Sequence, residues 1–376
     1  MTLASNRTPE VLPADLRDPL LDTPSVIVDL DILEANIAAM QDSVSRAGMA
    51  LRPHVKTHKS VRIARLQLEA GARGISVSKV GEAEVFRGAG LTDIFIVYPV
   101  VGEAKLARLA PLVADGGIIL ATDSFEVAEG YSRMATAADR RVPVVLEIDS
   151  GMHRVGCRPE DAGTLGTSIA RLPNLDLLGI STHAGHTHDV ITQPEIEAVA
   201  RDEVRALGAA RELMEGAGLE VRVVSAGSTI TTPYLGAADG ITEARPGTYV
   251  FNDYRTLELF ACTPAQFGAS MLATVVSRGP GRAVIDAGNK TLTLTRTEQH
   301  GYGRLRGRPR STFTRLSEEH GVLALAPEDE DLRIGDRVEV LPIHVCAWMD
   351  LQREAYGVRA GRVVEKIAIE AMRCSR

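Results

Sequence analysis

The chain of 376 residues contains a single tryptophan, and aromatics make up only 4% of it. Its cores must therefore be packed mainly from Ala, Val, Leu and Ile. Cysteine is scarce too: Cys157, Cys262, Cys346 and Cys374 are scattered, with no CxxC pair. At this length that spacing argues against a disulfide framework and for a reducing, cytoplasmic setting. No apolar run is long enough to cross a bilayer, which excludes a membrane-spanning helix. The polar stretch 1–18, with its acids and prolines, is neither a signal peptide nor an amphipathic transit sequence. Positive charge is not in excess; the formal net charge is −7, which excludes nucleic acid as a bulk partner. No G-x-G-x-x-G follows the first β-rich run, so an open dinucleotide-binding sheet is the weaker of two architectures.

What is present is a globular composition, 45% hydrophobic and 24% charged, in a chain long enough for a barrel plus a smaller domain. Between 23 and 252, β-rich runs at 25–30, 51–55, 74–78, 93–99, 117–122, 142–149, 175–182 and 221–227 alternate with helical patterns. The helical stretches include 31–47, 61–70, 81–89, 104–114, 124–137 and 193–216. Eight such runs predict an α/β fold, a parallel (β/α)8 barrel. Beyond 253 the helical rhythm stops. Runs at 270–276, 282–286, 291–295, 322–325, 337–341 and 363–369 read as short strands of a mostly β domain. That domain spans 253–376, with 1–22 packed against it, and the arginine-rich piece 304–315 reads as a solvated loop.

Polar clusters fall where a barrel would put the C-terminal ends of its strands, the rim that carries active sites. Arg52-Pro53-His54-Val55-Lys56-Thr57-His58-Lys59 crowds three cations and two imidazoles at one strand end. Neighbouring positive charge and partial burial favour the free amine of a lysine, the form that makes a Schiff base. The stretch 147–156 is a glycine-rich turn whose Arg154 can hold an anion or a phenolate oxygen. His183, His186 and His188 share the next turn. They suit contacts to a cofactor or substrate better than a metal, with His186, central in the turn, as the candidate for proton transfer. Gly227, Ser228 and Thr229 form a small-residue turn rich in donors, as do Gly247, Thr248 and Tyr249 downstream; together they make a phosphate cradle.

A lysine fit for a Schiff base plus a phosphate cradle points to pyridoxal phosphate. With these residues the chain resembles the alanine-racemase-like pyridoxal phosphate enzymes, and among them the D-serine dehydratase and D-threonine aldolase family. The likeness begins at Thr23-Pro24 and runs to the last strand. It implies an alanine-racemase-type barrel in which Lys56, within P-H-x-K-T-H-K, is the Schiff-base lysine. It also implies a cofactor site built from His54, Lys56, Arg154, Gly227, Ser228, Thr229, Gly247, Thr248 and Tyr249. In metal-using members a H-x-C or H-x-D pair binds a divalent ion near the substrate hydroxyl, which matches His344 and Cys346 here. Alternation along a strand would put both on one side, and imidazole with thiolate favours zinc, with manganese second. Cys346 rather than Asp leans towards dehydration of a D-3-hydroxy amino acid to a 2-oxo acid and ammonia. Retro-aldol cleavage to glycine and an aldehyde is the alternative; a racemase or a non-catalytic pyridoxal phosphate carrier fits less well. Ile343, where Asn is common, and Trp348 depart from the pattern and leave the substrate open. The resemblance further implies a homodimer.

Overall fold

The computed structural model describes residues 12–376. The chain opens with β1 (Ser25–Asp29) and α1 (Leu30–Arg46); Asp29 caps the helix by accepting from the N–H groups of Asp31 and Ile32, both at 3.1 Å. There follow β2 (Ala50–Leu51), α2 (Val61–Glu69), β3 (Ile75–Val77), α3 (Val80–Gly88), β4 (Ile94–Ile96), α4 (Glu103–Ala114), β5 (Ile118–Thr122) and α5 (Phe125–Ala137). Next come β6 (Val142–Glu147), α6 (Ala162–Ala170), β7 (Leu175–Ser181), α7 (Gln193–Gly216), β8 (Val223–Ala226) and β9 (Glu243–Ala244).

Strands β2 to β9 form one parallel eight-stranded sheet, in the order β2-β9-β8-β7-β6-β5-β4-β3. Its two edges meet: His54 bridges Ser76 in parallel, and the Ser76 N–H donates to the Pro53 carbonyl at 2.8 Å. The expected (β/α)8 barrel is therefore present, with one correction to its membership. The run at 25–30 is not a barrel strand. β1 pairs antiparallel with β10 (Ala269–Gly279) and parallel with β16 (Glu354–Arg359) of the second sheet. The eighth barrel strand is β9, only two residues long. A β-rich run followed by a helix looks the same whichever sheet receives it, and two residues carry no period to read.

The second unit adds α8 (Tyr254–Glu258), β11 (Arg282–Ile285), α9 (Asn289–Leu292), β12 (Arg304–Leu305), β13 (Arg308–Leu316), β14 (Gly321–Ala324), β15 (Arg337–Leu341), α10 (Val345–Met349) and β17 (Arg362–Ala368). Its nine strands run β11-β14-β13-β12-β15-β10-β1-β16-β17, and β10 also pairs with β11, which curls the sheet. Two details differ from expectation. The supposed strand at 291–295 is occupied by α9 and an irregular exit in which Thr293 has φ 62°. The supposed loop at 304–315 is mostly β13, whose Ser311 and Phe313 face inward while Arg308 and Arg310 pair with Asp331 and Glu328. Solvated arginines on the outer face of a strand hid its alternation. Residues 14–21 lie on this sheet: the Val363 N–H donates to Ala14 at 3.1 Å, and Leu21 packs with Ile27 and Leu272. Of the N-terminal stretch expected there, residues 1–11 lie outside the described residues.

Barrel closure is reinforced by a buried charge cluster. Arg52 Nε donates to Glu243 at 2.8 Å and Nη1 to Asp93 at 2.6 Å, while the Ser225 hydroxyl donates to Glu243 at 2.7 Å. The cluster ties the chain after β2 to β9, to the start of β4 and to β8. Removing one partner of a buried pair strands the other charge, at about 3–5 kcal/mol. Arg52→Ala should lose stability of that order in urea unfolding. A loss under about 1 kcal/mol would show that closure does not depend on the cluster.

Candidate active site

After β2 the chain enters a 3₁₀ turn, Val55–Thr57, capped by His54, whose Nδ1 accepts the Lys56 N–H at 3.3 Å. Every residue of the octet except Lys56 is buried, and the buried polar ones are paired. Arg52 meets Glu243 and Asp93. The His58 Nδ1 accepts from Ser60, so its Nε2 donates to Gln67 at 3.1 Å, and Gln67 passes the chain on to the Tyr249 hydroxyl at 2.8 Å. Burial lowers the His58 pKa to about 4, so it is a neutral structural imidazole. Lys59 contacts Glu82 at 3.2 Å and Asp350 at 2.5 Å. Among the described residues, Lys56 is the one cation of the octet without an ion pair.

Lys56 opens onto two adjoining cavities of about 100 and 290 Å³. His54, His183 and Arg245 share both walls with it. Ser228, Thr229, Gly247 and Thr248 line the first cavity together with His188, His344 and Cys346, and the Thr248 hydroxyl lies 3.7 Å from Cys346 Sγ. In the second, Lys79, Tyr98, Glu147 and Arg154 complete the wall. A larger groove of about 650 Å³ lies in the second domain, but its Arg306, Arg308 and Arg337 are already paired with Glu339, with Asp329 and Asp331, and with main-chain carbonyls. The cavities at Lys56 are therefore the candidate site.

The two small-residue turns are joined by one hydroxyl: Thr229 Oγ1 accepts the N–H groups of Gly247 at 3.3 Å and Tyr249 at 3.1 Å. Gly247 must be glycine because a Cβ there would stand 2.9 Å from the His54 carbonyl oxygen. Gly227, at φ 84°, gives its N–H to buried Glu203 at 2.9 Å. Burial pushes the Glu203 carboxyl up to about 7, against the pull of that hydrogen bond. Arg245 gives one guanidinium hydrogen to the Thr182 carbonyl, while its buried Nη1 has no partner among the described residues. An unmatched guanidinium nitrogen in the cavity wall calls for an acceptor on a ligand. That orphan donor, the glycine-lined cradle and the unpaired Lys56 together fit pyridoxal phosphate.

His54 and His183 are both neutral: burial first, then the charges of Lys56 and Arg245, holds their pKa values well below the usual range. His186 takes a different position from its neighbours. Its ring approaches Gly151 and its buried Nδ1 has no partner among the described residues, whereas His183 and His188 line the cavity. The Tyr249 side chain likewise turns into the core of the second domain, and only its N–H serves the cradle.

His344 and Cys346 do reach the cavity, though not from a strand. β15 ends at Leu341; His344 keeps an extended backbone as the N-cap of α10, and Cys346 lies in the first helical turn. Pro342 cannot donate to a ladder, which favours leaving the sheet there. Fully buried Asp253 fixes the arrangement, accepting from the Val345 N–H at 3.0 Å and from His344 Nδ1 at 3.3 Å. Metal-binding histidines characteristically donate their second ring nitrogen to a carboxylate in this way. The thiol's pKa is pulled down despite burial, chiefly by His344, and the imidazole's is raised, chiefly by Cys346. Cys346 Sγ also lies 3.2 Å from the Thr57 hydroxyl, next to Lys56. No group of three or more His, Cys, Asp or Glu among the described residues converges to hold an ion. The protein thus offers a pair, whose donor set fits a soft divalent metal completed by other ligands.

Residues 28–255 match the family described as "Alanine racemase, N-terminal domain", and residues 268–358 match "Putative serine dehydratase domain". The chain belongs to this alanine-racemase-like family with a serine dehydratase-type second domain. The D-threo-3-hydroxyaspartate dehydratase of Delftia sp. (strain HT23) is 36% identical over 87% of this chain and 91% of its own. Its solved structure superposes with a TM-score of 0.88 at 33% identity, covering 94% of this chain and 98% of that one. The D-threonine aldolase of an Arthrobacter species is 33% identical over 97% of each chain. The D-threonine aldolase structure from Filomicrobium marinum has a TM-score of 0.90 at 30% identity, covering 98% of this chain and all (100%) of that one. The family's relatives here are lyases, dehydratases and aldolases, as the resemblance implied.

Arg245, Asp253, Lys79 and Tyr98 are wall residues that sequence reasoning did not single out, whereas His183 and His188 stand where the histidine turn was expected to meet a cofactor or substrate. Arg245 directly precedes the Pro-Gly-Thr turn, so the signal that found the turn could have found it too. Lys56→Ala should abolish the visible band of the lysine-bound cofactor in protein purified with pyridoxal phosphate. A variant that keeps the band would move the attachment to another amine, with Lys79 the next on the cavity wall.

Proposed function

We propose that this chain is a pyridoxal phosphate- and divalent-metal-dependent lyase of D-3-hydroxy amino acids, converting them to a 2-oxo acid and ammonia. The observation that carries this reading is the meeting of Cys346 with the turn of Lys56, 3.2 Å from Thr57. It brings a thiolate–imidazole pair and an unpaired amine to one cavity. A cysteine-to-alanine variant of a D-threo-3-hydroxyaspartate dehydratase has been solved in a metal-free form, which supports a metal in enzymes of this kind.

Bound pyridoxal phosphate supplies an electron sink for charge developing at the substrate Cα. A divalent ion on His344 and Cys346, zinc by the softness of the pair, supplies Lewis acidity at the β-hydroxyl. The protein does the rest. Lys56 Nζ takes the Cα proton as general base. The hydroxyl leaves from Cβ with a proton as water, and the resulting enamine tautomerises and hydrolyses to 2-oxo acid and ammonia. Arg154 and Arg245, with the Ser228–Thr229 and Gly247–Thr248 turns, orient the cofactor. Neutral His54 and His183 line the cavity without adding charge.

The retro-aldol alternative has one observation in its favour. The His188 ring lies edge-on to His344 with centroids 6.3 Å apart, and burial lowers its pKa. A neutral imidazole there could take the hydroxyl proton, a role the position of His186 serves less well. Incubation with D-serine, D-threonine and D-3-hydroxyaspartate separates the two routes. We expect 2-oxo acid and ammonia with little glycine, and a chelator should remove this activity while leaving the cofactor spectrum in place. Glycine as the main product from every substrate would make the enzyme an aldolase; full activity without metal would remove the Lewis-acid role.

We also infer a homodimer. Tyr98 and Val101 after β4, Phe125 at the start of α5 and Ile191 after β7 are exposed, an apolar collar suited to a second copy that would exclude water from the site. Sedimentation equilibrium should find two chains per particle, and a fully active monomer would refute it.

A further inference from the structure

Lys59 is the second lysine of the octet, three residues beyond Lys56, and the chemistry described above does not use it. Its backbone is left-handed, with φ 52°, a conformation a lysine adopts only when its surroundings impose it. Its side chain is 10% exposed and lies between two carboxylates from different domains, Glu82 Oε1 at 3.2 Å and Asp350 Oδ1 at 2.5 Å. Burial works against the ammonium, but the hydrogen bonds and charges of Asp350 and Glu82 outweigh it and raise the lysine's pKa.

Both partners are anchored at the active site. The other oxygen of Glu82 accepts the N–H groups of Ser78 at 2.6 Å and Lys79 at 3.1 Å, at the barrel rim. Asp350 is the C-cap of α10, and its N–H donates to the Cys346 carbonyl at 3.4 Å. Asp350 Oδ1 also accepts the Arg373 N–H at 2.8 Å, and the Lys59 carbonyl accepts from Ala371 at 3.0 Å. The turn of Lys56 is thus held to α10 at two points, Thr57 on Cys346 and Lys59 on Asp350. A buried ion pair is a poor device for stability alone, since apolar packing does as well or better. What it provides is a fixed distance.

We propose that Lys59, Glu82 and Asp350 form a positioning strut that sets the spacing between Lys56 and the His344–Cys346 pair. The strut rests on the lyase reading given above, and it concerns residues that touch neither cofactor nor metal.

The test uses the holoenzyme and the variants Asp350→Asn, Lys59→Met and Lys59→Arg. Zinc affinity is measured by competition with a chromophoric chelator, alongside the visible cofactor band, kcat, KM and the melting temperature. Asp350→Asn and Lys59→Met should keep the visible band, because Lys56 is intact. Their zinc affinity should fall on the order of 10-fold, as for loss of a partner that orients a ligand, and kcat should fall more than KM rises. Lys59→Arg keeps the charge and should recover part of both. Should Lys59→Met fail to fold, leaving two facing carboxylates, Asp350→Asn and Lys59→Arg carry the same comparison. Zinc affinity and kcat within twofold of wild type, with only the melting temperature lowered, would reduce the triad to a structural pair and overturn the proposal. Wild-type enzyme that binds no zinc would instead overturn the lyase reading, and the strut with it.

Discussion

The constraint on which the site depends is the burial of a polar turn. A charge or imidazole taken out of water must find a partner, and the segment Arg52–Lys59 meets this requirement almost completely. Arg52 is answered by Glu243 and Asp93, His58 by Gln67, and Lys59 by Glu82 and Asp350. His54 accepts from the Lys56 N–H, so its Nε2 carries the proton and faces the Ser78 hydroxyl at 3.3 Å. Once these pairings are made the backbone has little freedom left. Lys56 is held out into the cavity because everything around it is already engaged.

The same pairings join the two domains. Five contacts link residues 57–62 to the C-terminal part of the chain: Thr57 to Cys346, Lys59 to Asp350, the Ala371 N–H to the Lys59 carbonyl at 3.0 Å, the Val61 N–H to Glu370 at 3.0 Å, and Arg62 to Glu365 at 3.1 Å. The chain path makes such a junction necessary. β1 lies at the heart of the second sheet, between β10 and β16, yet α1 and the barrel follow it directly. The second domain is therefore closed by strands from both ends of the described chain, and its site-facing helix α10 cannot be placed without the barrel.

Much of this was legible in the sequence because strand–helix alternation and strand-end chemistry are local signals. Lys56, the two cradle turns and the H-x-C pair could all be named from short motifs. What was not legible depends on tertiary choices. Nothing in the run at 25–30 says which sheet it joins, and β9 is too short to announce itself. The outward arginines of β13 concealed a strand whose inner face is set by Ser311 and Phe313. His344 and Cys346 were brought together correctly but by the wrong geometry, since a helix cap and a first helical turn do what strand alternation was expected to do. Among His183, His186 and His188, spacing cannot decide which rings face the cavity; the 3₁₀ turn Gly185–Asp189 decides it. Tyr249 was drawn away from the cradle by the hydrogen bond that completes the His58–Gln67 chain.

The electrostatics of the cavity explain why a chain of net charge −7 builds so basic a site. Lys56, Lys79, Arg154, Arg245 and Arg255 line the two cavities, against the carboxylates of Glu147 and Asp253. Burial raises the pKa of Glu147, though the Arg245 charge and the Ser181 hydroxyl oppose the shift. Asp253 is spent on α8 and α10, accepting from Thr256 at 2.8 Å as well as from Val345. Both carboxylates are engaged by protein donors and Arg255 pairs with Glu258 at 3.0 Å, which leaves Lys56, Lys79, Arg154 and Arg245 to attract an anionic occupant. A phosphorylated cofactor with an amino acid carboxylate is such an occupant, and low-dielectric walls strengthen the attraction. With His54 and His183 neutral, that charge comes from side chains at separate places on the wall, not from one diffuse patch. An anionic ligand is therefore oriented as well as held, which is what proton transfer at a single carbon requires.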